Sequence, residues 1–184
     1  MLAGRKPVTV AEFETFLTHP ENQSRLFELV QGAIVEKMPT QRHGILVLNL
    51  GSALRAFVKT HGLGRVGVEV RHRAPDDPLN DRMPDISFVS GLDKPIVDEG
   101  AVLAMPDLAV EVKSPTDRFR DMRAKARFYI TNGTQLVWLI FPEQRVVEVY
   151  APDDEVVLGE GELLTGGALL PGFEMPVEAI FEVE

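Results

Sequence analysis

A single α/β domain covering residues 1–184 is the fold class this sequence predicts, on three observations. The hydrophobic period switches repeatedly between about 3.6 and 2, the signatures of amphipathic helix and half-buried strand. The stretch Gln135–Phe141 is apolar enough to be an interior strand. With 184 residues, 45% of them hydrophobic, the chain can bury one sizeable core but not two.

The elements follow in order. Thr9 and Glu12 have the spacing of a capping box, and Val10, Phe13, Phe16 and Leu17 recur at helical intervals until His19-Pro20 ends the run. Leu26–Val30 and Ala33–Met38 read as a β-hairpin turning at Gln31-Gly32, with Glu28 on its first strand. From His43 to Lys59, the residues Leu46, Leu50, Leu54, Phe57 and Val58 mark one face of a helix that Gly62 and Gly64 end. Val66, Val68 and Val70 then alternate with Gly67, Glu69, Arg71 and Arg73, which predicts a half-buried strand. After the turn-rich segment Ala74–Asp81, a second strand carries Ile86, Phe88 and Val89 behind Pro84-Asp85 and closes at Ser90-Gly91. A third runs Leu108–Lys113 with Leu108, Val110 and Val112 on one face, so Glu111 and Lys113 share the other. Ser114-Pro115 breaks it. Phe119, Met122, Ala126, Tyr129 and Ile130 define a helix over Asp117–Thr131, capped by Asn132-Gly133. The interior strand Gln135–Phe141, centred on Trp138, is followed by a hairpin partner, Arg145–Tyr150. The acidic, glycine-rich tail from Ala151 has Leu163, Leu164, Leu169, Leu170, Phe173 and Ile180 as anchors and is expected to pack.

Composition narrows the chemistry. Cysteine is absent, so any metal must be held by oxygen or imidazole ligands. Met1–Val8 contains no apolar leader core, and the longest purely apolar run, Leu136–Phe141, is far shorter than a membrane span. A soluble, cytoplasmic protein with no membrane partner is expected. The formal net charge of -9 runs against phosphate binding, which depends on lysine and arginine. Its distribution alters that reading: residues 143–184 hold eleven acids and one base, leaving residues 1–142 with eighteen bases and seventeen acids. Between Lys113 and Arg127, six bases (Lys113, Arg118, Arg120, Arg123, Lys125, Arg127) stand against Asp117 and Asp121. That cluster is either a solvated helix face or a phosphate track.

The pattern that carries chemistry is Pro84-Asp85, a gap, then Glu111-Val112-Lys113, each half on a predicted strand and a basic helix after the second. Two acids on adjacent strands repel unless a cation shares the site. Carboxylates from Asp85 and Glu111 with the carbonyl of Val112 suit Mg2+ or Mn2+, with waters completing the shell. Such an ion would activate a water and offset charge on a scissile phosphate, and Lys113 would orient that water or stabilise the transition state. A pair of solvated strand acids is the bland alternative.

This order of elements resembles the PD-(D/E)xK restriction-endonuclease-like superfamily. More closely, FELVQG around Glu28, His43 opening the next helix, PDISFV, PDLAVEVKSP, KARFYITNG and VWLIF resemble the Uma-type restriction endonucleases. The resemblance implies a restriction-endonuclease-like core, a mixed central β-sheet flanked by helices with an N-terminal β-hairpin. It implies a metal-dependent endonuclease acting on DNA, with metal ligands at Asp85 and Glu111 and Glu28 as an additional acid. In many members the position two after the glutamate is not lysine, and the helix lysine matching Lys125 takes its role. This chain has both, and strand geometry favours Lys113 over Lys125.

Accessory positions stay open. His43 is either a catalytic group or a polar residue at a helix start; Arg71, Arg73 and Arg82 are either phosphate contacts or ordinary exposed arginines; and Glu69 shares the arginine face. Trp138 and Tyr129 read as core rather than base-stacking residues. A homodimer is expected, because two related sites cut two antiparallel strands. The alternatives are a catalytically degenerate nucleic-acid-binding module and a protein-interaction domain on the same fold. No base-reading helix or aromatic-basic ribbon is evident, so no sequence specificity is assigned.

Overall fold

The capping box predicted at Thr9 and Glu12 is present in the structure, a computed structural model that describes residues 6–183. Met1–Arg5, the greater part of the segment read for a leader, and Glu184 lie outside the described residues. The Glu12 N–H donates to Thr9 Oγ1 while its carboxylate accepts from the Thr9 N–H at 2.7 Å, starting α1 (Val10–Thr18). Phe13 of α1 packs with Phe27 and Leu29 from the first strand of the hairpin, β1 (Leu26–Val30). β1 runs antiparallel to β2 (Ala33–Lys37), and their Gln31-Gly32 turn has φ of 49° and 77°, the two positive values a tight hairpin turn needs. At Gly32 an added Cβ would lie 2.5 Å from Pro7 Cβ, so space as well as φ requires glycine. These elements, with residues 71–83 and 97–104, form one compact unit.

The other unit comprises residues 39–70, 84–96 and the chain from 105 on. Its long helix α2 (Gln41–His61) starts at Thr40, whose hydroxyl accepts from the His43 N–H, and stops at Gly62 in the left-handed conformation. A six-stranded sheet follows, in the order β3 (Gly64–Val68), β4 (Ile86–Ser90), β5 (Leu108–Val112), β6 (Leu136–Phe141), β7 (Val146–Ala151), β8 (Asp154–Leu158). All neighbours are antiparallel except β5 and β6, which are parallel and joined by the crossover helix α3 (Phe119–Thr131). The sheet is therefore mixed and flanked by helices, as the resemblance implies.

One core joins Leu46, Leu50, Leu54 and Val58 of α2 to Ile86, Val110, Trp138 and Ile140 of the sheet. A second joins Met122, Ala126 and Tyr129 of α3 to Ala109, Val137 and Leu139. The tail packs, as its apolar anchors predict: it forms β9 (Leu163–Gly166), β10 (Leu170–Pro176) and α4 (Val177–Ile180) and adds Leu164, Leu170, Phe173 and Ile180 to the α2 core.

Most element boundaries fall within one or two residues of expectation, and two of the differences have a local cause. The strand predicted to continue to Arg73 ends at Val68, because Glu69 has φ 53° and its N–H turns to the Asp85 carbonyl. α3 begins at Phe119 rather than Asp117, because Ser114 and Asp117 close a turn: the Ser114 N–H donates to Asp117 Oδ2 at 2.7 Å, and the Asp117 N–H to the Ser114 carbonyl.

Candidate active site

Ile86 of β4 lies opposite Val110 of β5, so the antiparallel register carried one residue further sets Asp85 across from Glu111. Both are almost wholly buried, Asp85 at 2% and Glu111 at 3% exposure. Buried carboxylates need compensating donors, and each has them. Asp85 Oδ2 accepts from the Val112 N–H at 2.7 Å and lies 3.1 Å from His43 Nε2. A carboxylate can only accept, so His43 donates from Nε2. Its position in the first turn of α2 directs the ring there. Glu111 Oε1 accepts from Lys125 Nζ and from the Tyr129 hydroxyl, both at 2.8 Å. Lys125 and Tyr129 stand one helical turn apart on α3 and face β5 together.

Lys113 goes elsewhere. It follows the last residue of β5, is 8% exposed, and donates to the Ser114 carbonyl at 3.1 Å. Its ammonium lies 3.5 Å from Glu143 and 5.4 Å from the centre of the Phe119 ring. Thus His43 pairs with Asp85, while Lys125 and Tyr129 pair with Glu111 on the neighbouring strand, and Lys125 rather than Lys113 is the lysine that contacts Glu111.

Glu28 belongs to the other unit, buried on β1, where it accepts from the Met83 N–H at 3.5 Å. Arg73 is there too, in an ion-pair network with Glu14 and Asp81 that Arg71 shares. Burial pushes the Glu14 carboxyl up, but hydrogen bonds and charge from Arg71 and Arg73 outweigh it and hold Glu14 below its ordinary range. These two arginines, open to a phosphate role from sequence, are engaged by carboxylates.

The basic face of α3 is also partly matched. Arg123 makes a multidentate pair with Glu148, its shortest contact 2.6 Å, and Arg127 lies 3.6 Å from Glu155. The Glu148 carboxyl, pushed up by burial, is brought below its usual range by Arg123 and the Tyr150 hydroxyl. Acids of the C-terminal segment therefore pair with arginines of α3. Trp138 is core, fully buried. Tyr129 is buried as expected, and its hydroxyl contact with Glu111 goes beyond the core role its spacing predicts; its separation of four from Lys125 is the one signal of it in the sequence.

Among the described residues, no group of three or more His, Asp or Glu side chains is placed to hold a metal ion. The chemistry of two buried carboxylates on adjacent strands does fit a hard cation of the magnesium type, which binds through one or two carboxylates and keeps several waters.

A family model described as "Uma2: Putative restriction endonuclease" matches residues 13–178. Among solved structures, the crystal structure of a putative nuclease belonging to DUF820 from Anabaena variabilis is similar, with a TM-score of 0.79 and 26% sequence identity. The match covers 95% of this chain and 98% of that one. No curated protein matches.

Proposed function

This chain belongs to the Uma2 family of restriction-endonuclease-like proteins, and from that premise we propose that it is a divalent-metal-dependent endonuclease acting on DNA. The observation that carries the reading is the pair of buried carboxylates, Asp85 and Glu111, facing each other across β4 and β5. They would hold Mg2+ or Mn2+ with the Val112 carbonyl, and the ion, when bound, would supply an activated water and offset charge on the phosphate.

The chain's own residues do the rest. The Val112 N–H fixes Asp85, and His43 keeps the same oxygen bonded. Lys125 is preferred to Lys113 as the catalytic lysine, on the strength of its 2.8 Å contact with Glu111. It neutralises Glu111, and with an ion held by the carboxylates it would supply positive charge to the phosphate. No part is given to Glu28 or Arg73. A symmetric pair of chains is the arrangement that cuts both strands of a duplex.

The test is cleavage of single-stranded and duplex DNA and RNA in Mg2+, Mn2+ and chelator, with wild type beside Glu111→Ala. Metal-dependent cutting of DNA by wild type alone is the expected result. Salt-sensitive binding without cleavage would assign the chain to binding-only modules on this fold, and cutting that persists in Glu111→Ala would remove Glu111 from the site.

A further inference from the structure

We infer that Tyr129 is a positioning residue for Glu111, an inference that rests on the metal-site reading above. Tyr129 is fully buried on the inner face of α3 among Ala109, Met122, Ala126, Val137 and Leu139. Its hydroxyl donates to Glu111 Oε1 at 2.8 Å, the oxygen that also receives Lys125 Nζ.

The two donors are not equivalent. Lys125 carries a charge that competes with a cation for Glu111, and a lysine that serves a phosphate has to give up the carboxylate. Tyr129 is neutral, and its ring is locked by packing, so its bond survives either change. It holds Glu111 in one orientation while Lys125 moves, and a cation meets a preorganised ligand. The molecule contains its own control. Tyr150, the other of the two tyrosines, is also buried and also donates to a carboxylate, Glu148, at 2.8 Å, but that acid is no part of the proposed site.

The test measures Mn2+ binding to the full chain, by electron paramagnetic resonance or calorimetry, in wild type, Tyr129→Phe and Tyr150→Phe, with melting curves for each. Tyr129→Phe is expected to weaken Mn2+ about 10–100-fold, with Tyr150→Phe binding as wild type does. A merely structural tyrosine would move the melting curve and leave Mn2+ affinity unchanged. A second readout is the tyrosine ultraviolet difference spectrum on adding Mn2+. In Tyr150→Phe the sole remaining tyrosine is Tyr129, so a shift is expected there even if Tyr129→Phe does not fold. Equal Mn2+ affinity in wild type and Tyr129→Phe, or a silent spectrum in Tyr150→Phe that binds Mn2+, would overturn the positioning role alone. Failure of wild type to bind Mn2+ would overturn the metal-site reading and the inference with it.

Discussion

Lys113 and Lys125 carry the same charge in different company: the first meets Glu143 and the Ser114 carbonyl, the second Glu111. If charge at the carboxylate pair is what matters, Lys125→Ala should lower kcat by about 10²–10³-fold, and Lys113→Ala should cost less than about tenfold. Single-turnover cleavage on DNA checks this, and a larger loss in Lys113→Ala would return the catalytic role to the strand position. Glu14 gives a residue-scale prediction of a different kind. Its folded pKa lies below its ordinary value near 4.5, so its contribution to stability is present above that pH and is lost as pH falls through the lowered value. Arg71→Met with Arg73→Met should flatten this acid limb in urea melts between neutral and acid pH. A limb as steep as that of wild type would show that the network does not set it. At this scale the sequence was legible for identity and not for partnership. Asp85 and Glu111 stood out because paired acids on strands need a cation, whereas the Tyr129 hydroxyl looked like ordinary core.

At the scale of elements, periodicity sufficed wherever one face of a helix or strand is buried. α1, α2, α3 and the hairpin follow their apolar spacing, because burial of that face is what stabilises them. The missed boundaries turn on single-residue conformations, such as Glu69 at φ 53° and the Ser114–Asp117 turn, which leave no trace in a hydrophobic pattern. Close approach between β3 and β4 is another such local demand. A Cβ at Gly64 would fall 2.2 Å from the Val89 carbonyl oxygen, so Gly64→Ala should destabilise by about 1–3 kcal/mol. Urea denaturation measures it, and a neutral result would mean that β3 can slide on β4.

At the scale of the molecule, the tail is the least legible part. Its apolar anchors are visible but its short strands are not, and the packing itself is tertiary: Phe173 stacks on Trp138 with ring centres 5.7 Å apart and meets Phe57 edge-on at 5.4 Å. Phe173→Ala should therefore cost about 3–5 kcal/mol, read by the fluorescence of Trp138, the chain's single tryptophan. A cost below about 1 kcal/mol would place the tail outside the cooperative core. What the sequence alone determined is local: the alternation of helix and strand, the Gln31-Gly32 turn, and the placement of Glu111 on a strand with Asp85 at the head of another. These follow from backbone conformation and from which side of each element is apolar. The tertiary structure decided which groups meet. Asp85 faces Glu111 through the register of β4 on β5; Lys125 and Tyr129 reach Glu111 through the docking of α3; and the arginines after β3 are turned toward Glu14 and Asp81. Register and docking are set by packing between residues distant in sequence, so no local pattern specifies them.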